Sequence, residues 1–330
     1  VNFEVHMPAG LLDQPSLPEG ALKVTIPVTN ADANYLQSLT HLTQLRGTAT
    51  RTGNAFNADI AGARIGPLTV SQGHVVISPL SVPGPPGDFS ARVSGAMPDI
   101  LNLIDMKPLN YPTRFGIDKK ETKGQGNLDL SFHMPLRKNL SVDQVGIAIK
   151  AAVTDFSIVL GDHAHLTQGT VNFEIDNAKL HACGNALLAD SRLNFDWSED
   201  FRTTNPITTR IGVKGTLDTQ GREELNFPSA DFLKGPTTIN ATLTGHRGSL
   251  LTADMMMDLA PAMLNLDLIG LNKPAGFPAT AHVTASFGPE SSIKAETLAL
   301  SGPGVAVSGN AAFDKEGHLV LLSFPNVHFG

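Results

Sequence analysis

The chain has 330 residues, with 24 Lys and Arg against 31 Asp and Glu, so its formal charge is −7. A protein that holds nucleic acid needs a basic face to displace condensed counterions, and this composition excludes that class of partner. Hydrophobic residues make up 41%, which excludes a disordered chain. The single cysteine, Cys183, excludes an intramolecular disulfide.

The chain opens Val1-Asn-Phe-Glu-Val and closes Asn326-Val-His-Phe-Gly330. Both ends read as mid-strand, so the sequence is expected to be a fragment of a longer protein. Its longest uninterrupted apolar runs are four residues, at 186–189 and 319–322, where a membrane-spanning helix needs about 20. Residues 32–45 carry Leu36, Leu39 and Leu42 at helical spacing, with Asn30 or Asp32 as N-cap, and predict a helix. Residues 81–87, Ser-Val-Pro-Gly-Pro-Pro-Gly, predict a loop, because proline cannot donate to a ladder. Residues 98–105 predict a second helix. Pro98 stands in its first turn, Ile100, Leu101 and Ile104 form one apolar side, and Pro108 and Pro112 follow as stops. A loop at 118–123 gathers Lys119, Lys120 and Lys123. Such a cluster is ordinarily solvated; the sharper alternative is a contact with anionic head groups.

From there alternation dominates. Leu128, Leu130, Phe132 and Met134 alternate with polar residues, as do Val171, Phe173 and Ile175, then Leu193, Phe195 and Trp197, then Ile239, Ala241 and Leu243. A period of two places these side chains on one face of a strand and leaves the other face wet, the antiparallel habit. A short element of Gly, then Asn or Thr, recurs at Gly126, Gly169, Gly184, Gly215 and Gly309, more weakly at Gly47 and Gly53. Glycine there is expected to open a strand by a turn or bulge. Its irregular spacing speaks for a meander of hairpins, not a propeller or leucine-rich solenoid. Short helical turns are expected at 230–233 and 261–264.

Catalytic signatures are lacking: no Gly-x-Ser-x-Gly, no His-Glu-x-x-His, no phosphate loop and no Gly-x-Gly-x-x-Gly. Cys183 beside Gly184 has no nucleophile signature and reads as a small, partly buried thiol. Asp162-His163-Ala164-His165, with His181 beyond, is the best metal candidate, but a third ligand is not evident and the pair reads as solvated turn histidines. Met255-Met256-Met257 places two methionines on one strand face and one on the other, as adaptable packing. Asn139-Leu-Ser141 and Asn240-Ala-Thr242 match the glycosylation sequon, a pattern too short to carry weight. No enzyme, cofactor or metal site is expected. Many half-apolar strands and few helices leave an apolar face that little in the chain can cover. The sheet therefore closes into a sandwich or barrel, or it exposes a groove.

The last 80 residues carry a further signal. Asp258-Leu-Ala-Pro-Ala is followed by Leu268-Ile-Gly-Leu-Asn-Lys-Pro-Ala-Gly276, then Leu298-Ala-Leu-Ser-Gly302 and Ser308-Gly-Asn-Ala-Ala-Phe-Asp-Lys-Glu-Gly317. Val93-Ser-Gly95, Ile100-Leu-Asn-Leu-Ile-Asp105, Pro108-Leu-Asn-Tyr111 and Met134-Pro-Leu136 agree. This pattern resembles the AsmA-like superfamily, its YhdP branch above all, well over 90–330 and loosely over 1–90. The resemblance implies a mostly β fold, an elongated, twisted antiparallel sheet curling into an open apolar groove with two or more short helices. It implies a β-rich part at 1–90, with one helix near 32–45, and a repeating β-groove region at 91–330. It further implies a periplasmic segment of a bacterial envelope protein, anchored in the inner membrane through a segment outside this stretch. Such a protein would conduct phospholipids toward the outer membrane and support its permeability barrier. Its partners would be phospholipid acyl chains and the inner- and outer-membrane surfaces or their proteins.

Alternation nominates the groove face: Leu128, Leu130, Phe132, Val171, Phe173, Ile175, Leu193, Phe195, Ile239, Leu243, Val283 and Phe287. Two acyl chains of roughly 30 methylenes cost on the order of 25 kcal/mol to expose to water, at about 0.8 kcal/mol per methylene. A continuous apolar trough removes most of that barrier and needs no chemical motif. Two alternatives stand beside it: a non-conducting envelope scaffold with a filled interior, and a β-rich hydrolase or sugar-binding module.

Overall fold

The computed structural model describes residues 1–7, 10, 20–34, 40–106, 111–114, 117–137, 140–141, 144–160, 164–202, 204–225, 232–288, 292–316 and 318–329. In chain order these form β1 (Asn2–Val5), β2 (Leu22–Ala33), β3 (Leu42–Thr52), β4 (Phe56–Ile65), β5 (Leu68–Ile77), β6 (Pro86–Ala96), α1 (Met97–Ile104), α2 (Tyr111–Arg114), β7 (Lys123–Pro135), β8 (Gly146–Leu160) and β9 (Ala164–Asp176). There follow β10 (Lys179–Leu188), β11 (Ser191–Asp200), β12 (Thr209–Leu217), α3 (Thr219–Glu224), β13 (Leu233–Lys234), β14 (Thr237–His246) and β15 (Ser249–Asp258). The last are β16 (Met263–Leu266), β17 (Leu271–Lys273), β18 (Thr280–Phe287), β19 (Ile293–Gly302), β20 (Val305–Phe313) and β21 (Leu319–Phe329). The fold is mostly β, and 18 of the strands belong to one open antiparallel sheet. β13, β16 and β17 form a separate three-stranded sheet.

The chain divides into two compact units, 1–154 with 172–177, and 155–171 with 178–330. In the first, successive strands from β1 to β7 pair as antiparallel neighbours. In the second, β10, β11, β12, β14, β15, β18, β19, β20 and β21 do the same. Hairpins join most of them: Leu188 pairs with Ser191 across the two residues Ala189 and Asp190, and His246 with Ser249 across Arg247 and Gly248. The strands form where the alternation predicts, at 128–134, 171–175, 193–197 and 239–243.

The predicted second helix is present as α1, with Pro98 and Asp99 in its first turn and Met97, Ile100 and Leu101 buried. Pro112 does not simply stop it, since a second short helix, α2, contains that residue. Proline fits because a first-turn N–H has no intrahelical partner to lose. Pro108 lies outside the described residues.

Three local expectations are corrected. The helix at 32–45 is strand at both ends, with Ala33 paired to Leu42 and Ala31 to Leu45; residues 35–39 lie outside the described residues. The pairing at these ends is irregular, with Asn30 and Gln44 at φ 52° and 53° standing at the shifts of register. At 261–264, Met263 and Leu264 are in β16; at 230–233, Leu233 is in β13 and residues 230–231 lie outside the described residues. Gly126, Gly169, Gly184, Gly215 and Gly309 stand inside strands, not at their entrances, while Gly53 lies in the turn before β4. A Cβ at Gly184 would lie 2.1 Å from the Thr170 carbonyl oxygen, and one at Gly309 2.1 Å from that of Ser323. Neighbouring strands approach there more closely than any side chain permits.

Candidate functional site

Register partners in an antiparallel pair share a face, so the pairings trace rows of side chains across the strands. In the second unit one row runs Leu193, Gly215, Ile239, Met257, Ala281, Leu300. The next runs Phe195, Val213, Ala241, Met255, Val283, Leu298, and the third Trp197, Ile211, Leu243, Ala253, Ala285, Ala295. Eighteen successive positions on six strands thus carry no charge, and apart from the Trp197 indole no side chain among them can hydrogen-bond. The reverse face is polar. His181 meets Asp196 at 2.9 Å, His282 meets Asp254 at 3.0 Å, and Thr244 meets Thr252 at 2.7 Å.

The first unit repeats this division. Val70, Val93 and Leu128 form one row, Gly73, Ala91 and Leu130 the next, Val75, Phe89 and Phe132 a third. On the reverse face His74 meets Asp59 at 2.8 Å, His133 meets Asp88 at 2.7 Å, and Arg92 donates to Asp129 at 2.9 Å.

Burial grades across both faces, because insertions cover one end of each. In the first unit α1 lies over the Val70–Val93–Leu128 row, which is 1–6% exposed. Gly95 and Gly126 face each other there, and Leu68 and Ile100 occupy the room their missing side chains leave. The Phe89–Phe132 row is half-buried. In the second unit the small sheet packs on the first row, so that Leu193, Ile239 and Met257 share one core with Leu233, Leu264 and Leu271. Rows two and three are mostly half-buried.

The nominated residues fall out as follows. Leu128, Leu130 and Phe132 line one face of β7, and Phe173 and Ile175, half-buried in β9, belong to the same unit. In the second unit Leu193 and Ile239 share the covered row, Phe195 and Val283 the middle row, and Leu243 the third. Phe287 pairs with Ile293 one step beyond that row. Val171 is buried at 1% exposure. The nominated face left out Ile211, Val213, Met255 and Leu298, which the register places in the same rows. Nor does alternation show the covering sheet, whose strands of two, four and three residues are too short to show a period.

The YhdP protein family model matches residues 2–328. The chain belongs to the YhdP protein family. No curated protein and no solved structure matches it. The family match takes in the first 90 residues, where the motifs resembled it only loosely.

Two buried cations fix the insertion in this YhdP-family chain. Arg222, 2% exposed, donates to the carbonyls of Leu217, Leu233 and Gly235 and to the Thr219 and Thr237 hydroxyls. Lys273, of the Lys-Pro-Ala-Gly motif, donates to the carbonyls of Ala262 at 2.6 Å and of Pro274 and Phe277 at 3.0 Å. All three ammonium protons are thereby used. Burial pushes the Lys273 pKa down, and Asp258 opposes this.

The chemistry-bearing residues are dispersed. His163 lies outside the described residues, His165 is exposed on β9, and His181 is held by Asp196. Cys183 is half-buried opposite Asp196. Among the described residues the one acidic and histidine group close enough to share an ion is Asp314, Glu316 and His318. There Asp314 is already engaged, accepting from the backbone N–H groups of Glu316 and His318. Of the lysine cluster, Lys119 is committed to Asp105 at 2.6 Å, and Lys120 and Lys123 are exposed. No helix among the described residues is long and apolar enough to cross a membrane.

Proposed function

We propose that this chain is a periplasmic segment of an inner-membrane-anchored envelope protein that conducts phospholipids toward the outer membrane. The observation that carries the reading is the set of apolar rows crossing successive strands, whose members away from the insertions keep part of their surface exposed. An apolar surface of this extent ordinarily marks a binding site. Family membership supports the same class of activity. An acyl chain lying along the rows meets similar shallow contacts at each strand, so it can advance without meeting one deep site. The membranes or their proteins would be the partners at either end. Carriage of this kind asks for no catalytic group.

The scaffold alternative draws support from one observation: the covered rows, at Val93, Leu128, Ile239 and Met257, are filled core. A photo-crosslinker separates the two readings. Placed at Leu130 or Phe132 it captures phospholipid, and placed at Asp129 or Ser131, on the reverse face of the same strand, it does not. Equal capture on both faces, or none, returns the protein to the scaffold reading.

A further inference from the structure

We infer that the polar face of the first unit carries a binding site for an uncharged saccharide, in two neighbouring depressions along β8. This face is turned away from the apolar rows, so the site stands or falls independently of the lipid-conducting reading.

The two depressions measure about 420 and 340 Å³. Short side chains of β8 form both floors. Gly146 and Ala148 lie under the first, where a Cβ on Gly146 would stand 3.5 Å from the His133 Cβ, and Ala152 lies under the second. Lys150 rises between them, tied to Glu174 at 3.3 Å. Asn177 pins the start of the floor, accepting from the Ile147 N–H and donating to the Val145 carbonyl, both at 2.6 Å. Ala148 and Ala152 are four residues apart, roughly 13 Å on a strand, so one short oligosaccharide can reach both.

The walls carry hydrogen-bonding groups that the protein leaves unspent. In the first depression His74 and His133 each commit Nδ1 to a carboxylate, at 2.8 Å from Asp59 and 2.7 Å from Asp88. Both Nε2 atoms are left to a ligand. The Ser90 and Ser131 hydroxyls beside them make no hydrogen bond among the described residues. In the second, the Arg92–Asp129 pair stands with the Asn127 and Asn172 amides, whose side chains are equally unengaged among the described residues.

The class of ligand follows from this set. Arg92 is matched by Asp129, Lys150 by Glu174 and His133 by Asp88, so no surplus of either sign selects an ion. Phe89 and Phe132 stand in the apolar row of the opposite face, so a protein partner would find no aromatic anchor here. A sugar hydroxyl both donates and accepts, and planar amide, carboxylate and guanidinium groups meet adjacent hydroxyls two at a time. That match assigns the depressions to a saccharide.

The histidines supply the readout. The purified chain is titrated with cellotetraose, tetra-N-acetylchitotetraose and maltotetraose, and the imidazole signals are followed by NMR. At least one sugar should shift His74 and His133 saturably. His181 and His282, held by Asp196 and Asp254 on the polar face of the second unit, should not move. Ala148→Tyr and Ala152→Tyr fill the depressions from exposed positions and should weaken binding about tenfold or more at an unchanged melting temperature. Asn172→Ala, which only removes an exposed amide, should weaken it severalfold. No shift with any of the three sugars, equal shifts at all four histidines, or parent-like binding by these folded variants overturns the site. Shifts evoked only by sulfate or by spermidine overturn the saccharide assignment.

Discussion

At the scale of single residues, the sheet depends on a few positions with little tolerance. Ala189 holds φ 49° in a two-residue hairpin turn, a left-handed conformation that costs an L-residue roughly 1–2 kcal/mol. Ala189→Gly should raise stability by about 0.5–1 kcal/mol, because glycine returns part of that gain in chain entropy; the denaturant midpoint reads it. Lys273 works in the opposite sense. Lys273→Met leaves three carbonyls without their donor, and the loss should be about 2–4 kcal/mol. Asp105 gives the molecule an acid limit. Hydrogen bonds from Lys119 and Thr113 hold its pKa at about 2, down from an ordinary 3.8. A carboxyl depressed on folding contributes stability above its unfolded value, and that contribution is lost as pH falls from about 4 toward about 2. Asp105→Asn should flatten the melting temperature over that window and leave its trend above pH 5 unchanged.

At the scale of elements, the contrast between two glycines shows what the sheet can absorb. A Cβ at Gly126 would meet the flexible end of Ile100, at 2.5 Å from Cδ1, which can turn aside. A Cβ at Gly184 meets the backbone of the neighbouring strand, which cannot. Gly184→Ala should therefore cost about 3 kcal/mol or more and Gly126→Ala distinctly less, as compared by urea denaturation. The same elements show what was legible beforehand. Strands such as 128–134 declare themselves, because one wet and one covered face impose a period of two on Leu128, Leu130 and Phe132. α1 declares itself through Pro98 and the Ile100–Leu101 side. The small sheet does not, since Leu233, Leu264 and Leu271 become core only after a fold brings them onto the first row. The misread ends of 32–45 have the same cause: long-range pairing of β2 with β3 takes Asp32, Ala33 and residues 42–45 into strand. Of the nominated face, alternation supplied the side of each strand, and only the register tells which residues the insertions seal.

At the scale of the whole molecule, lipid conduction as proposed depends on an unbroken apolar path. Leu243 is half-buried in the third row, with Thr242 and Thr244 on the reverse face. Leu243→Asp should place a charge on the path while the carboxylate keeps part of its water, so the fold should survive where a sealed position would fail. Cells relying on that variant should lose their outer-membrane permeability barrier although the purified chain still melts cooperatively. Ile239→Asp, in the sealed row, should unfold the second unit instead. The most direct test of the central claim is native mass spectrometry of the purified chain after exposure to phospholipid vesicles. Adducts of phospholipid mass are expected on the unmodified chain and should be lost in Leu243→Asp. A chain that stays lipid-free, or a folded Leu243→Asp variant that binds as much lipid as the parent, would contradict the claim.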